Sequence, residues 1–171
     1  KISSELFSIH YVDNQRASGF GNAIHYGLDK ATGDYLAIYM ADGSDNPNDL
    51  VRFFREAERK KVDCVFGSRF MKESVVVDYP WPKLVLNRLV NFGIRVLFQI
   101  RYNDVSNAFK LYRREVIEGV RPILSPHFNL TVELPLKAIV RGYSYSVLPN
   151  SWHNRKEGVS KLKIKEMGSR Y

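Results

Sequence analysis

The amino-acid sequence predicts an α/β fold in which a mostly parallel central sheet is covered by helices. Three observations carry this. Apolar segments of strand length alternate with segments of helical periodicity through the first half of the chain, and that alternation builds a parallel sheet. Two of the strand segments, 35–40 and 62–67, are near-continuous apolar runs, as expected of strands covered on both faces. The chain has 171 residues, 44% hydrophobic and 13% aromatic, enough to close one core and too few for two ordinary domains. No repeat, low-complexity tract or Gly/Ser-rich linker divides it, so residues 1–171 read as a single domain.

Residues 6–12 read as a strand ended by Asp13-Asn14. Gly19-Phe20-Gly21-Asn22 then opens a helix, with Ala23, Ile24, Gly27, Leu28 and Ala31 at helical spacing and Gly33 as its stop. The strand over 35–40 leads into the turn Ala41-Asp42-Gly43-Ser44-Asp45-Asn46. Pro47 suits the first turn of a helix running to about residue 60. After the strand at 62–67, residues 83–99 form a helical pattern with Leu, Val, Phe and Ile on one side and Arg88 and Arg95 among its polar positions. A short strand at 108–112, a helix at 130–140 stopped near Gly142, and an alternating strand at 143–148 follow. A polar loop over 151–158 and a short basic helix over 161–170 complete the chain.

Lys and Arg number 26 against 18 Asp and Glu, a net charge of +8. Such an excess points to an anionic partner, whether nucleic acid, a membrane surface or a phosphorylated small molecule, or simply to a basic soluble domain. Composition does not choose among them. The single Cys64 excludes an intrachain disulfide, and its apolar surroundings predict a buried thiol in a reducing compartment. No signal-peptide pattern is evident. Asn87, Arg88, Asn91 and Arg95 interrupt the most membrane-like stretch, 84–100, leaving less than the roughly 18 uncharged residues a span needs. Contact with a membrane surface stays open.

The segment Met40 to Pro47 is the most informative chemically. Ligands of open α/β sheets bind beyond the carboxyl ends of the strands. Asp42 and Asp45 stand at such an end, placed to hold a hard cation that bridges phosphate oxygens; capping of the next helix by an Asp and a Ser or Asn of this segment is the competing explanation. Gly19-Phe20-Gly21 at a helix start suits either a phosphate cradle or a tight turn. Arg69, after the strand at 62–67, emerges on the same rim as Asp42, where it is a solvated charge or part of a site. Lys83 and Asn87 share a helix face, with Arg88 beside them, and that face suits a phosphate or plain solvent. Residues 155–165 carry Arg155, Lys156, Lys161, Lys163 and Lys165 against Glu157, a basic stretch fit for a polyphosphate, a membrane surface or nucleic acid. The four His residues show no metal-ligand spacing.

Four stretches in order give the chain a family resemblance. Ala31-Thr32-Gly33-Asp34-Tyr35 leading to Met40-Ala41-Asp42-Gly43-Ser44-Asp45-Asn46-Pro47, and Gly67-Ser68-Arg69-Phe70, resemble the motifs of family 2 glycosyltransferases. Asn107-Ala108-Phe109-Lys110-Leu111-Tyr112-Arg113-Arg114-Glu115-Val116 and Arg155-Lys156-Glu157-Gly158-Val159-Ser160-Lys161-Leu162 are similar to the polyprenyl-phosphate, dolichyl-phosphate mannose synthase-like branch. The resemblance implies a GT-A fold, a nucleotide-sugar donor, and inverting, Mg²⁺- or Mn²⁺-assisted transfer to a polyprenyl phosphate. It further implies a cytoplasmic enzyme in peripheral contact with a membrane and no nucleic-acid partner. By the same resemblance Asp42 is the metal position, helped by Ser44 or Asp45. Arg69, Lys83 and Asn87 fall where the family places acceptor-phosphate contacts, normally Arg, Arg and Ser, and Arg88 adjoins them. Arg155, Ser160 and Lys161 match a mobile loop over the site, so Asp42, Arg69 and Arg155 are the residues expected to act on the reacting groups.

Two departures accompany the match. Met40 replaces the first Asp of the usual Asp-Ala-Asp. The family's first two strands, with the nucleobase and ribose contacts, are expected to precede Lys1, so the chain is expected to be either a truncated catalytic domain or one without the base pocket. The chemistry is coherent, because a phosphate acceptor is already anionic and needs no strong base. What remains is positioning and stabilisation of a departing diphosphate. Two other functions compete: a family 2 transferase acting on a soluble sugar or glycan, and a basic nucleic-acid-binding module, which the clustering of charge at strand ends disfavours.

Overall fold

A computed structural model describes residues 10–154. Its elements in chain order are α1 (Phe20–Lys30), β1 (Tyr35–Ile38), α2 (Pro47–Lys60), β2 (Cys64–Ser68), β3 (Val76–Val77), α3 (Trp81–Phe98), β4 (Lys110–Arg113), α4 (Arg114–Gly119), α5 (Leu130–Val140), β5 (Tyr145–Pro149) and β6 (Trp152–His153). The strand expected over 6–12 lies mostly outside the described residues, and 10–12 are irregular; the terminal helix expected over 161–170 lies wholly outside them.

Four strands form the central sheet in the order β1-β4-β2-β5. β2 runs parallel to β5, with Phe66 opposite Val147. β4 runs antiparallel to both β1 and β2, setting Leu111 opposite Ala37 on one side and Val65 on the other. β1, β2 and β5 therefore point the same way and only β4 is reversed. This corrects one expectation. β1 is an edge strand among the described residues, with Leu36 and Ile38 buried and Ala37 exposed, not a strand covered on both faces. β2 does meet that description, with all five residues buried.

The core lies in two layers. On one face of the sheet, Leu36, Ile38, Cys64, Phe66 and Tyr112 pack with Ile24 and Leu28 of α1, Val116 and Ile117 of α4, and Leu130 and Leu134 of α5. On the other, Val65 and Leu111 meet Phe53 and Ala57 of α2. Full burial of each such side chain favours folding by roughly 1.5–3 kcal/mol. Burial also pushes the Cys64 thiol up, leaving it protonated and inert. Lys110 of β4 is buried as well, donating to the carbonyls of Val105, Asn107 and Thr131, and so ties the 105–107 loop to α5.

Two local ambiguities are resolved by contacts. Asn46, with its side chain accepting from Asn48 N at 3.0 Å, caps α2, and Pro47 occupies the first position; neither Asp42 nor Asp45 is the cap. The glycines before and in α1 have a packing role. A Cβ on Gly21 would sit 2.3 Å from the Ser125 carbonyl oxygen, and the Asn22 amide already donates to Pro126. No helix among the described residues is long and apolar enough to cross a membrane.

Candidate active site

Because β1, β2 and β5 are co-directional, the segments that follow them gather on one rim of the sheet. After β1 comes the acidic turn. Asp42 is exposed, and one carboxylate oxygen accepts from Ser44 N at 3.1 Å. Asp45 is buried; its carboxylate accepts from the Asn150 amide at 3.3 Å, and its carbonyl accepts from the Tyr39 hydroxyl at 2.6 Å. Burial pushes the Asp45 carboxyl up to about 6, opposed by Arg69 and reinforced by Asp42, Asp49 and Asp104.

The segment after β5 is bonded onto this turn. Asn150 reaches Asp45, Ser151 N donates to the buried Asp49 carboxylate at 2.6 Å, and His153 N donates to the Ser44 carbonyl at 2.9 Å. β6 then pairs in parallel with β3, so one short strand joins the acidic turn to the loop before α3.

Arg69 leaves the end of β2 and is nearly buried. Asp104, fully buried, receives Nε at 2.9 Å, Nη2 at 2.7 Å and the Arg69 backbone N–H at 2.9 Å. Burial alone would lower the guanidinium pKa; the Asp104 carboxylate more than reverses this, and Arg69 stays cationic. Its Nη1 lies 3.4 Å from the Tyr79 hydroxyl, which also accepts from the Asn87 amide. Lys83 Nζ lies 5.6 Å from the Tyr79 ring centroid and 5.9 Å from that of Trp152. Arg88 sits over Phe70 at 5.3 Å.

Arg69, Lys83, Asn87 and Arg88 are thus brought together around Tyr79 and Phe70. Asp42, Ser44 and Asp45 occupy the neighbouring turn, close enough for Asp45 and Arg69 to perturb one another. Arg155, Ser160 and Lys161 lie outside the described residues. Sequence reasoning missed Asp104, Asn150, Asp49, Tyr79 and Trp152. Tyr79, two residues before α3, was a visible signal; the approach of Trp152 to it and the pairing of Asp104 with Arg69, 35 positions apart, were not.

Among the described residues no three or more His, Cys, Asp or Glu side chains converge on a metal position. What the rim offers is oxygen, and above all an exposed Asp42 carboxylate with one oxygen committed to Ser44. That suits a hard divalent cation held by one or two carboxylates and completed by substrate phosphates and water.

The fold is of the GT-A-like α/β class. The fold matches the crystal structure of glucosyl-3-phosphoglycerate synthase from Mycobacterium tuberculosis in complex with Mn²⁺, uridine diphosphate and glucosyl-3-phosphoglycerate. The TM-score is 0.61 at 14% identity, over 89% of this chain and 50% of that one. The Mg²⁺ and uridine-diphosphate complex of the same synthase gives a TM-score of 0.53 at 16% identity, over 89% of this chain and 50% of that one. Residues 1–121 match the glycosyl transferase family 2 model, and the chain belongs to that family. It is 30% identical to a polyprenol monophosphomannose synthase of Mycolicibacterium smegmatis over 90% of this chain and 60% of the relative. Against a dolichol-phosphate mannosyltransferase of Pyrococcus furiosus it is also 30% identical, over 95% of this chain and 46% of the relative. The chain therefore spans about half the length of the curated relatives it matches.

Proposed function

We propose that the protein carries out inverting transfer of a hexosyl group from a nucleotide-sugar donor to a polyprenyl phosphate. The observation that carries this reading is the shared rim, where the Asp42–Asp45 turn adjoins Arg69, Lys83 and Asn87 gathered on Tyr79. Two differently charged half-sites match a reaction with two phosphate-bearing substrates. Mannose is the sugar named in both curated relatives, and the donor carries it here.

The acceptor phosphate oxygen attacks the anomeric carbon as the bond to the diphosphate breaks, and a single displacement inverts the configuration. The acceptor brings its own negative charge, so no side chain has to remove a proton. Arg69, fixed by Asp104, and Lys83, lying over two aromatic rings, hold the acceptor phosphate in line. Asp42, assisted by Ser44 or Asp45, would hold a divalent cation, Mg²⁺ or Mn²⁺, which would supply charge neutralisation for the departing diphosphate. Arg155 serves the reacting groups, and Ser160 and Lys161 bind substrate.

The enzyme works in peripheral contact with a membrane, on its cytoplasmic face. Supporting this, α3 turns Leu89, Phe92 and Leu97 outward, 63%, 62% and 76% exposed, with the exposed Arg88 and Arg95 beside them. Apolar groups mixed with cations suit an anionic lipid surface. The test uses the full-length protein, a divalent cation and nucleotide-activated, labelled mannose. Polyprenyl phosphate is offered beside phosphoglyceric acid, and label is expected in the lipid extract. Label confined to water-soluble product overturns the lipid acceptor, and metal-independent retention on nucleic acid without any transfer overturns the enzyme.

A further inference from the structure

Tyr79 is the hub of the cationic cluster, and its hydroxyl is under-used by the protein. The phenol oxygen accepts from Asn87 Nδ2 and from Arg69 Nη1, at 3.4 Å for the latter. A phenol has two acceptor lone pairs and one proton to give. Both lone pairs face N–H donors, so the proton is directed away from them, and among the described residues it has no acceptor. Its polar neighbours within contact are donors and cations, Arg69, Asn87, and Lys83 at 5.6 Å from the ring centroid, and the Asp104 carboxylate behind them is held by Arg69. An O–H in such company is left for an anion.

We propose that Tyr79 is an acceptor-binding residue whose hydroxyl donates a hydrogen bond to the phosphate of the polyprenyl phosphate, alongside Arg69, Lys83 and Asn87. This rests on the acceptor proposed above and adds a residue that neither charge nor motif singles out. Asn87 and Arg69 each keep further N–H groups for the same phosphate while they orient the phenol. Burial raises the Tyr79 pKa above its ordinary value, so the proton is present throughout the working pH range. The ring has a second task, since Lys83 lies over it and over Trp152, which packs on Tyr79 at 4.8 Å.

The discriminating variant is Tyr79→Phe in the full-length protein, which deletes the hydroxyl and keeps the ring beneath Lys83. Equilibrium binding is measured with geranylgeranyl phosphate and with geranylgeraniol, its phosphate-free control, and nucleotide-sugar binding is measured in parallel. A hydrogen bond to a charged group predicts that Tyr79→Phe weakens geranylgeranyl phosphate about tenfold. Geranylgeraniol and donor binding should stay within twofold, with an unchanged melting temperature. Equal affinity of Tyr79→Phe and wild type for the phosphate overturns the role of Tyr79, as does weakening of the donor instead. A wild type that binds the alcohol as well as the phosphate overturns the phosphate-acceptor reading itself, and the Tyr79 contact with it.

Discussion

Asp42 and Asp104 are both carboxylates of the candidate site, and their surroundings give them opposite characters. Asp42 is exposed, bonds among the described residues only to the backbone two residues on, and is not the cap of α2. Replacing it with Asn should abolish cation-dependent nucleotide-sugar binding and move stability by less than about 0.5 kcal/mol. Asn46→Ala, by contrast, should cost about 1 kcal/mol through loss of the cap and leave donor binding intact. Calorimetric titration of the donor with and without Mn²⁺, paired with thermal melts, separates the two; a large stability loss in Asp42→Asn contradicts the assignment. Asp104 is fully buried against a nearly buried Arg69. Asp104→Ala leaves that cation unpaired, so denaturant unfolding should show a loss of about 3–5 kcal/mol. A loss below 1 kcal/mol would mean Arg69 finds water instead.

Among the elements, α3 is built inside out relative to an ordinary surface helix. Lys83, Asn87 and Asn91, at four-residue spacing, face the protein, and Asn91 bonds the Ser106 amide and hydroxyl. Most of its apolar residues face outward, although Ile94 packs on the core. Full burial of one leucine in lipid is worth about 2 kcal/mol. Leu89→Asp and Leu97→Asp should therefore each reduce co-sedimentation with anionic vesicles at least fivefold, with melting temperatures close to wild type. Unaltered vesicle binding in the double variant would take α3 out of the membrane contact. The helix itself was legible from its periodicity; which face it buries was not, because periodicity records two faces and not their neighbours. The same limit explains β1. Its apolar run is real, but nothing within one strand encodes that β4 enters beside it in reverse. α4, at six residues, and the two-residue strands β3 and β6 are too short to show any period. The acidic turn and Arg69 were legible because strand ends recur in sequence as short polar breaks after apolar runs.

For the molecule as a whole, pH is the variable that reads how distant segments are tied together. Glu133 of α5 accepts from the amides of Leu124 and Ser125 and pairs with Lys137; these bonds outweigh burial and hold its carboxyl at about 2. Lys60, with Arg59 and Ser146 of β5, holds Glu56 of α2 at about 2 as well. A carboxyl whose pKa is lower folded than unfolded stabilises fully above the unfolded value, and loses that stability as pH falls through the folded one. Stability should therefore fall from about pH 4.5 down to about pH 2. Asp45 works in the opposite sense: pushed up to about 6, it favours the fold below the unfolded value near 3.8, an advantage lost as pH rises through 6. Difference curves against wild type isolate each group. Glu133→Gln should cost on the order of 1–2 kcal/mol at pH 7, the shift being reduced by solvent screening, and flatten the acid limb between 4.5 and 2. Asp45→Asn should gain relative to wild type as pH rises from 4 to 6, in metal-free buffer. Urea unfolding at half-unit pH intervals checks both. A Glu133→Gln deficit that persists unchanged at pH 2 would show that the loop contact at 124–125 is held by packing and not by the ionised carboxylate.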